Sequence, residues 1–107
     1  MNEVKNEATT KTEEEVAVER KGAELRVGSK TNVKSLASAI TATMKEHGYA
    51  LLRCIGDGAI GRAARASTIA RGNLALADIN LIMTGSFFMT EIDGNERTGF
   101  QIRVENR

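Results

Sequence analysis

Two rhythms of apolar and polar positions run along this chain. In Glu24 to Gly28 (ELRVG), Leu25 and Val27 fall on one side, which is the two-residue period of a short half-buried strand. Either Thr31 or Asn32 can cap a following helix. From there Val33, Leu36, Ala37, Ile40 and Met44 recur at the 3.6-residue period, predicting a helix that runs to His47. Gly48 suits its end because glycine adopts the left-handed conformation there, and Lys45 and His47 complement the negative end of the helix dipole. His47 therefore reads as a helix-end residue.

Tyr49 to Ile55 is a compact apolar run before Gly56-Asp57-Gly58, the pattern of a central strand covered on both faces. An alanine-rich helix is expected from about Ala59 to Arg71, stopping at Gly72. Asp78 to Thr84 (DINLIMT) and Ser86 to Ile92 carry strand-forming residues, and Thr98 to Glu105 alternates with Phe100, Ile102 and Val104 on one side. The polar cluster Asp93-Gly94-Asn95-Glu96 turns the last two arms into a hairpin. The order is β-α-β-α-β-β without an internal repeat, which predicts a mixed α/β chain of the two-layer α+β kind with a C-terminal β-hairpin.

At 107 residues and 41% hydrophobic content, the chain suits one domain with a modest core. The net charge of +1 is unevenly spread. Met1 to Gly22 holds Lys5, Lys11, Arg20 and Lys21 against Glu3, Glu7, Glu13, Glu14, Glu15 and Glu19, a balance of −2, so the remainder carries +3. With few apolar residues before Val16, this stretch is expected to be a mostly disordered acidic tail, with the domain occupying residues 23–107. No apolar run approaches the roughly 20 residues that cross a bilayer. The polar start lacks the features of a secretory signal, so a cytoplasmic or nucleoid-associated location is expected, with no membrane partner. Cys54 is the one cysteine and sits in the apolar context LLRCIG, where a packed thiol is the ordinary outcome.

The motif Gly56-x-Gly58-x-x-Gly61 follows a strand, opens a helix and has Asp78 at the spacing of a ribose contact, as in dinucleotide-binding folds. Only 46 residues follow Gly61, however, and they offer a hairpin instead of further strand-helix crossovers. No cofactor is expected. The physics that remains is general: exposed N–H groups at a helix N-terminus attract anions, and glycines let a phosphate approach. Catalysis is not expected, because His47 has no evident nucleophile partner and no spacing of carboxylates, cysteine and histidine suggests a metal site. Asp57, Asp78 and Asp93 read as capping and turn residues.

The segments CIGDGAIGRAARASTIARG and IDGNERTGFQIRVE closely resemble the stage V sporulation protein S family, and the resemblance extends over about Leu25 to Arg107. That family is similar in fold to Alba, the archaeal chromatin protein. The resemblance thus implies an Alba-like domain that self-associates, as a dimer or tetramer, and binds DNA or RNA. By the same analogy nucleic acid is met by the first strand-helix loop, the start of the second helix and the hairpin arm. Carried to this chain, these are Lys30 with Ser29 and Thr31, then Gly58 and Arg62, then Arg97.

Arg65 lies one turn beyond Arg62, and with Lys30 and Lys34 these arginines make a candidate cationic patch. The first loop is poorer in lysine than in Alba proteins, and Asp57 sets a negative charge beside the turn. With only Tyr49, Phe87, Phe88 and Phe100 as aromatics, phosphate contacts are expected to dominate and sequence preference to be slight. A second expectation is a scaffold in which Ala59, Ala63, Ala66 and Ala70, together with Phe87-Phe88-Met89, mediate self-association or binding to another protein.

Overall fold

The computed structural model describes residues 18–107. Their elements are β1 (Glu19–Lys21), β2 (Glu24–Val27), α1 (Val33–His47), β3 (Tyr49–Cys54), α2 (Asp57–Ala75), β4 (Leu81–Ile92) and β5 (Asn95–Asn106). The strands form one sheet in the order β1-β2-β3-β5-β4, in which only β2 and β3 are parallel. From β2 onward the order is the β-α-β-α-β-β of an Alba-like two-layer fold. The added strand β1 comes from the end of the expected tail, where Glu19, Arg20 and Lys21 pair with Arg26, Leu25 and Glu24 through a turn at Gly22. The rest of that tail lies outside the described residues.

Helix α1 forms as its pattern dictates. The Asn32 side chain accepts a hydrogen bond from the Ser35 N–H at 2.8 Å, and Gly48 closes the helix at φ 84° by donating to Met44 O. Leu36, Ala37, Ile40 and Met44 are buried as expected, while Thr43 joins them because its hydroxyl bonds back to Ala39 O. Helix α2 is longer than Ala59 to Arg71 and passes straight through Gly72. Gly72 stands on the exposed side with open space around it, while Leu74 two residues on, across the helix, is fully buried and holds the helix to the core. Asp78 is not part of a strand; it takes φ 61° in the turn that leads to β4.

Helix and sheet meet across one apolar layer. Leu25, Val27, Ala50, Leu52, Cys54, Ile102 and Val104 from the sheet pack with Leu36, Ile40 and Met44 from α1 and with Ala59, Ala63, Ala66 and Ala70 from α2. Small alanines let α2 lie close to the sheet. Strand β3 is central, but its expected coverage on both faces is not met: Ala50, Leu52 and Cys54 are buried, whereas Tyr49, Leu51 and Arg53 are half-buried on a face without helices. Both helices are used on the other side.

β4 and β5 are each 12 residues long, and β4 runs unbroken through Gly85, where two runs were expected. The hairpin turns at Asp93 and Gly94, both at positive φ, while Asn95 and Glu96 already belong to β5. β5 pairs with β3 only from Phe100 to Glu105, so the segment from Phe88–Gly99 to Ile92–Asn95 extends beyond β3 as a two-stranded arm. Aromatic rings cover its glycines: a Cβ on Gly85 would collide with the Phe100 ring, and one on Gly99 with the Phe88 ring.

Candidate nucleic-acid interface

The Gly56-Asp57-Gly58 turn gives α2 an open start. Gly56 stands at the N-cap position with φ 93°, and no side chain caps the helix. The first N–H groups are therefore left to water or to an anion, with Asp57 as the acidic residue of the first turn. Gly56, Asp57, Gly58 and Gly61 are all exposed, so the entrance does not fold back on the sheet. The sheet is mostly antiparallel, which leaves the glycine motif outside a dinucleotide-binding architecture.

The loop from β2 to α1 leans on this entrance. A Cβ on Gly58 would lie 3.2 Å from Ser29 Cβ, so glycine permits the close approach. Arg62, one turn into α2, donates from Nη1 to Thr31 O at 2.9 Å. Thr31 is buried, and its hydroxyl accepts from the Gly28 N–H at 2.8 Å, so its side chain shapes the loop from within instead of reaching outward. Lys30 is exposed beside it, and Lys34 is exposed in the first turn of α1. Arg65 is exposed one turn beyond Arg62. Among the described residues Lys30, Lys34, Arg65 and Arg97 form no ion pair.

The fold thus brings Lys30, Thr31, Gly58 and Arg62 together, with Lys34 in the first turn of α1 and Arg65 one turn beyond Arg62 on α2. Arg97 is separate. It lies on the arm opposite Thr90, exposed, and among the described residues no hydrogen bond or ion pair ties its side chain to the loop. The arm does approach the loop through Thr90, Glu91 and Ile92, which line one cleft together with Gly28 and Thr31.

A second set of cations was not singled out in advance. Arg26, Arg53 and Arg103 point to the open face of the sheet, where the row Glu19, Arg26, Arg53, Gln101, Ser86 crosses five strands. Arg53 Nε donates to Gln101 Oε1 at 3.2 Å and is ion-paired with Glu24 Oε2 at 2.8 Å, and its guanidinium lies 4.4 Å from the Phe88 ring centre. Arg103 bonds Glu105 at 2.7 Å and covers Tyr49 at 4.4 Å. The alternation of ELRV, YALLRC and QIRVE carries the signal for these arginines, since each stands between two buried positions.

The scaffold surface expected from sequence divides. Ala59, Ala63, Ala66 and Ala70 are fully buried against the chain's own sheet, and Phe88 lies under Arg53 on the open face. Phe87 and Met89 stand on the opposite side, beside Met83, as exposed apolar residues. Cys54 is buried, and burial pushes its thiol from 9.0 up to about 11. His47 is exposed at the helix end near Glu46.

Among the described residues no group of three or more histidine, cysteine, aspartate or glutamate side chains is placed to hold a metal, and no helix is long and apolar enough to cross a membrane. A family model described as Stage V sporulation protein S matches residues 23–107, nearly all of the described chain. With the β-α-β-α-β-β order and the glycine-flanked helix entrance both in place, the chain belongs to the stage V sporulation protein S family, a sporulation-related group.

Proposed function

We propose that this chain is a regulatory nucleic-acid-binding protein of sporulation that holds DNA or RNA mainly by its phosphates, with little sequence preference and without catalysis. The observation that carries the reading is the Arg62–Thr31 bond, which ties an uncapped helix entrance to the loop bearing Lys30. Unsatisfied N–H groups, a positive dipole end and unpaired cations at one place suit a phosphate. Fluorescence titration of DNA and RNA at several salt concentrations tests it. Affinity is expected to fall steeply with salt, and Lys30→Glu is expected to flatten the slope of log affinity against log salt by about 1. Binding that is absent at low ionic strength overturns the reading.

One observation favours a second reading, self-association as a dimer or tetramer. Phe87 is 76% exposed and Met89 60%, on the same strand and side as the exposed Met83. Side chains of this kind on an edge strand invite a partner strand or a packed face. Light scattering distinguishes the outcomes: an oligomer that Phe87→Lys converts to monomer supports this reading, and a wild-type monomer at micromolar concentration removes it.

A further inference from the structure

Between the arm and the loop from β2 to α1, the open face of the sheet sinks into a cleft of about 480 Å³. That size suits a small organic group. Its charges balance, Arg26 and Arg53 against Glu19 and Glu91, while Ile55, Phe88 and Ile92 supply apolar lining. A cleft without net charge is a poor phosphate site. Apolar lining with donors and acceptors around it fits a flat neutral group with polar edges.

Arg53 supplies the flat surface. Its Nε donates to Gln101 and is ion-paired with Glu24, and its guanidinium is stacked on Phe88. The Phe88 ring also packs against Gly99, whose missing Cβ makes room for it. The Arg53 side chain is 41% exposed and lines the cleft, so its guanidinium is the plane on which a guest can lie. Thr31 links this cleft to the helix entrance, since it lines the one and its carbonyl accepts from Arg62 at the other.

We propose that the cleft receives one unstacked base of a single-stranded nucleic acid, lying on the Arg53 guanidinium while neighbouring phosphates sit at the α2 entrance beside Lys30 and Arg62. This rests on the nucleic-acid reading above and assigns it a strand preference. A base inside a duplex must first unpair and unstack, whereas a single strand offers its bases freely. Any base can stack on a guanidinium plane, so the preference is for strandedness and not for sequence.

The experiment is fluorescence anisotropy with a labelled oligothymidylate and with a mixed-sequence duplex of equal length. Wild type is compared with Arg53→Lys, which keeps the charge and loses the plane, and with Arg26→Ala, which removes an exposed side chain from the cleft wall. Circular dichroism melts confirm that each variant is folded. Single-strand affinity is expected to fall roughly tenfold in Arg53→Lys, and in the same direction by less in Arg26→Ala, with duplex binding unchanged. Single-strand affinity unchanged in both variants, or lost equally with duplex affinity, overturns the base cleft. If Lys30→Glu still weakens binding in that case, the phosphate reading stands. Absence of wild-type binding to either probe overturns both.

Discussion

The two faces of the sheet are made from the same strands and obey different rules. On the covered face Leu25, Leu52, Cys54 and Val104 are fully buried beneath the helices, and what matters there is volume. On the open face the same strands present Glu24, Arg26, Arg53 and Arg103, held by ion pairs and by stacking on Phe88 and Tyr49. One alternation produces both. Apolar contact on one side supplies stability, which leaves the other side free to carry charge. A residue one step along a strand therefore passes from a buried packing role to a charged position open to solvent.

The largest test of this contrast is Leu52→Ala on the covered face. Removing a fully buried leucine side chain is expected to cost about 2–5 kcal/mol in urea unfolding. A loss below about 1 kcal/mol is incompatible with a tightly packed covered face.

Cys54 sharpens the same face through pH. Its folded thiol titrates near 11 against 9.0 for the unfolded group, so the folded chain keeps a proton that the unfolded chain releases. Stability is unaffected by this group below pH 9.0 and declines as pH rises toward about 11, by up to about 2–3 kcal/mol. Cys54→Ala is expected to lack that component, and melts of both proteins across the alkaline range read the difference. Identical pH profiles exclude a buried, proton-retaining thiol.

The smallest effect belongs to the open face. Arg103→Ala removes an ion pair and a ring contact made by a side chain 44% exposed, with an expected cost of about 0.5–1 kcal/mol. A loss as large as that of Leu52→Ala would erase the distinction between the faces.

Much of the fold was legible because its signals are local. The stripe Val33 to Met44, the Asn32 cap, the Gly48 stop and the Asp93-Gly94 turn each act over a few residues, and each appears where expected. Gly72 misled because a glycine permits a helix end without requiring one, and the buried Leu74 beyond it outweighs its low helix propensity. β3 misled in a related way. Tyr49 and Leu51 made it look covered on both sides, yet part of that cover comes from the long Arg103 side chain of a neighbouring strand and not from a helix.

The candidate site was legible as a set of segments and not as a surface. Lys30, Gly58 and Arg62 could be named from the family resemblance, but the Arg62–Thr31 bond joins residues 31 positions apart. The Arg53 platform draws on three strands at once, with Glu24 from β2 and Gln101 from β5 on either side. Arg97 stayed apart because the arm carries it past the end of β3.

Period and punctuation in the sequence alone determined the kind and order of the elements from β2 onward and the apolar stripe of α1, β2 and β5 that faces inward. Tertiary structure decided which charged side chains meet, that the alanines of α2 are spent on the chain's own sheet, and that arm and loop enclose a common cleft. The reason is range: hydrophobic periodicity and capping act between neighbours in sequence, whereas ion pairs, stacking and clefts depend on strand order and register, set by the packing of the whole chain.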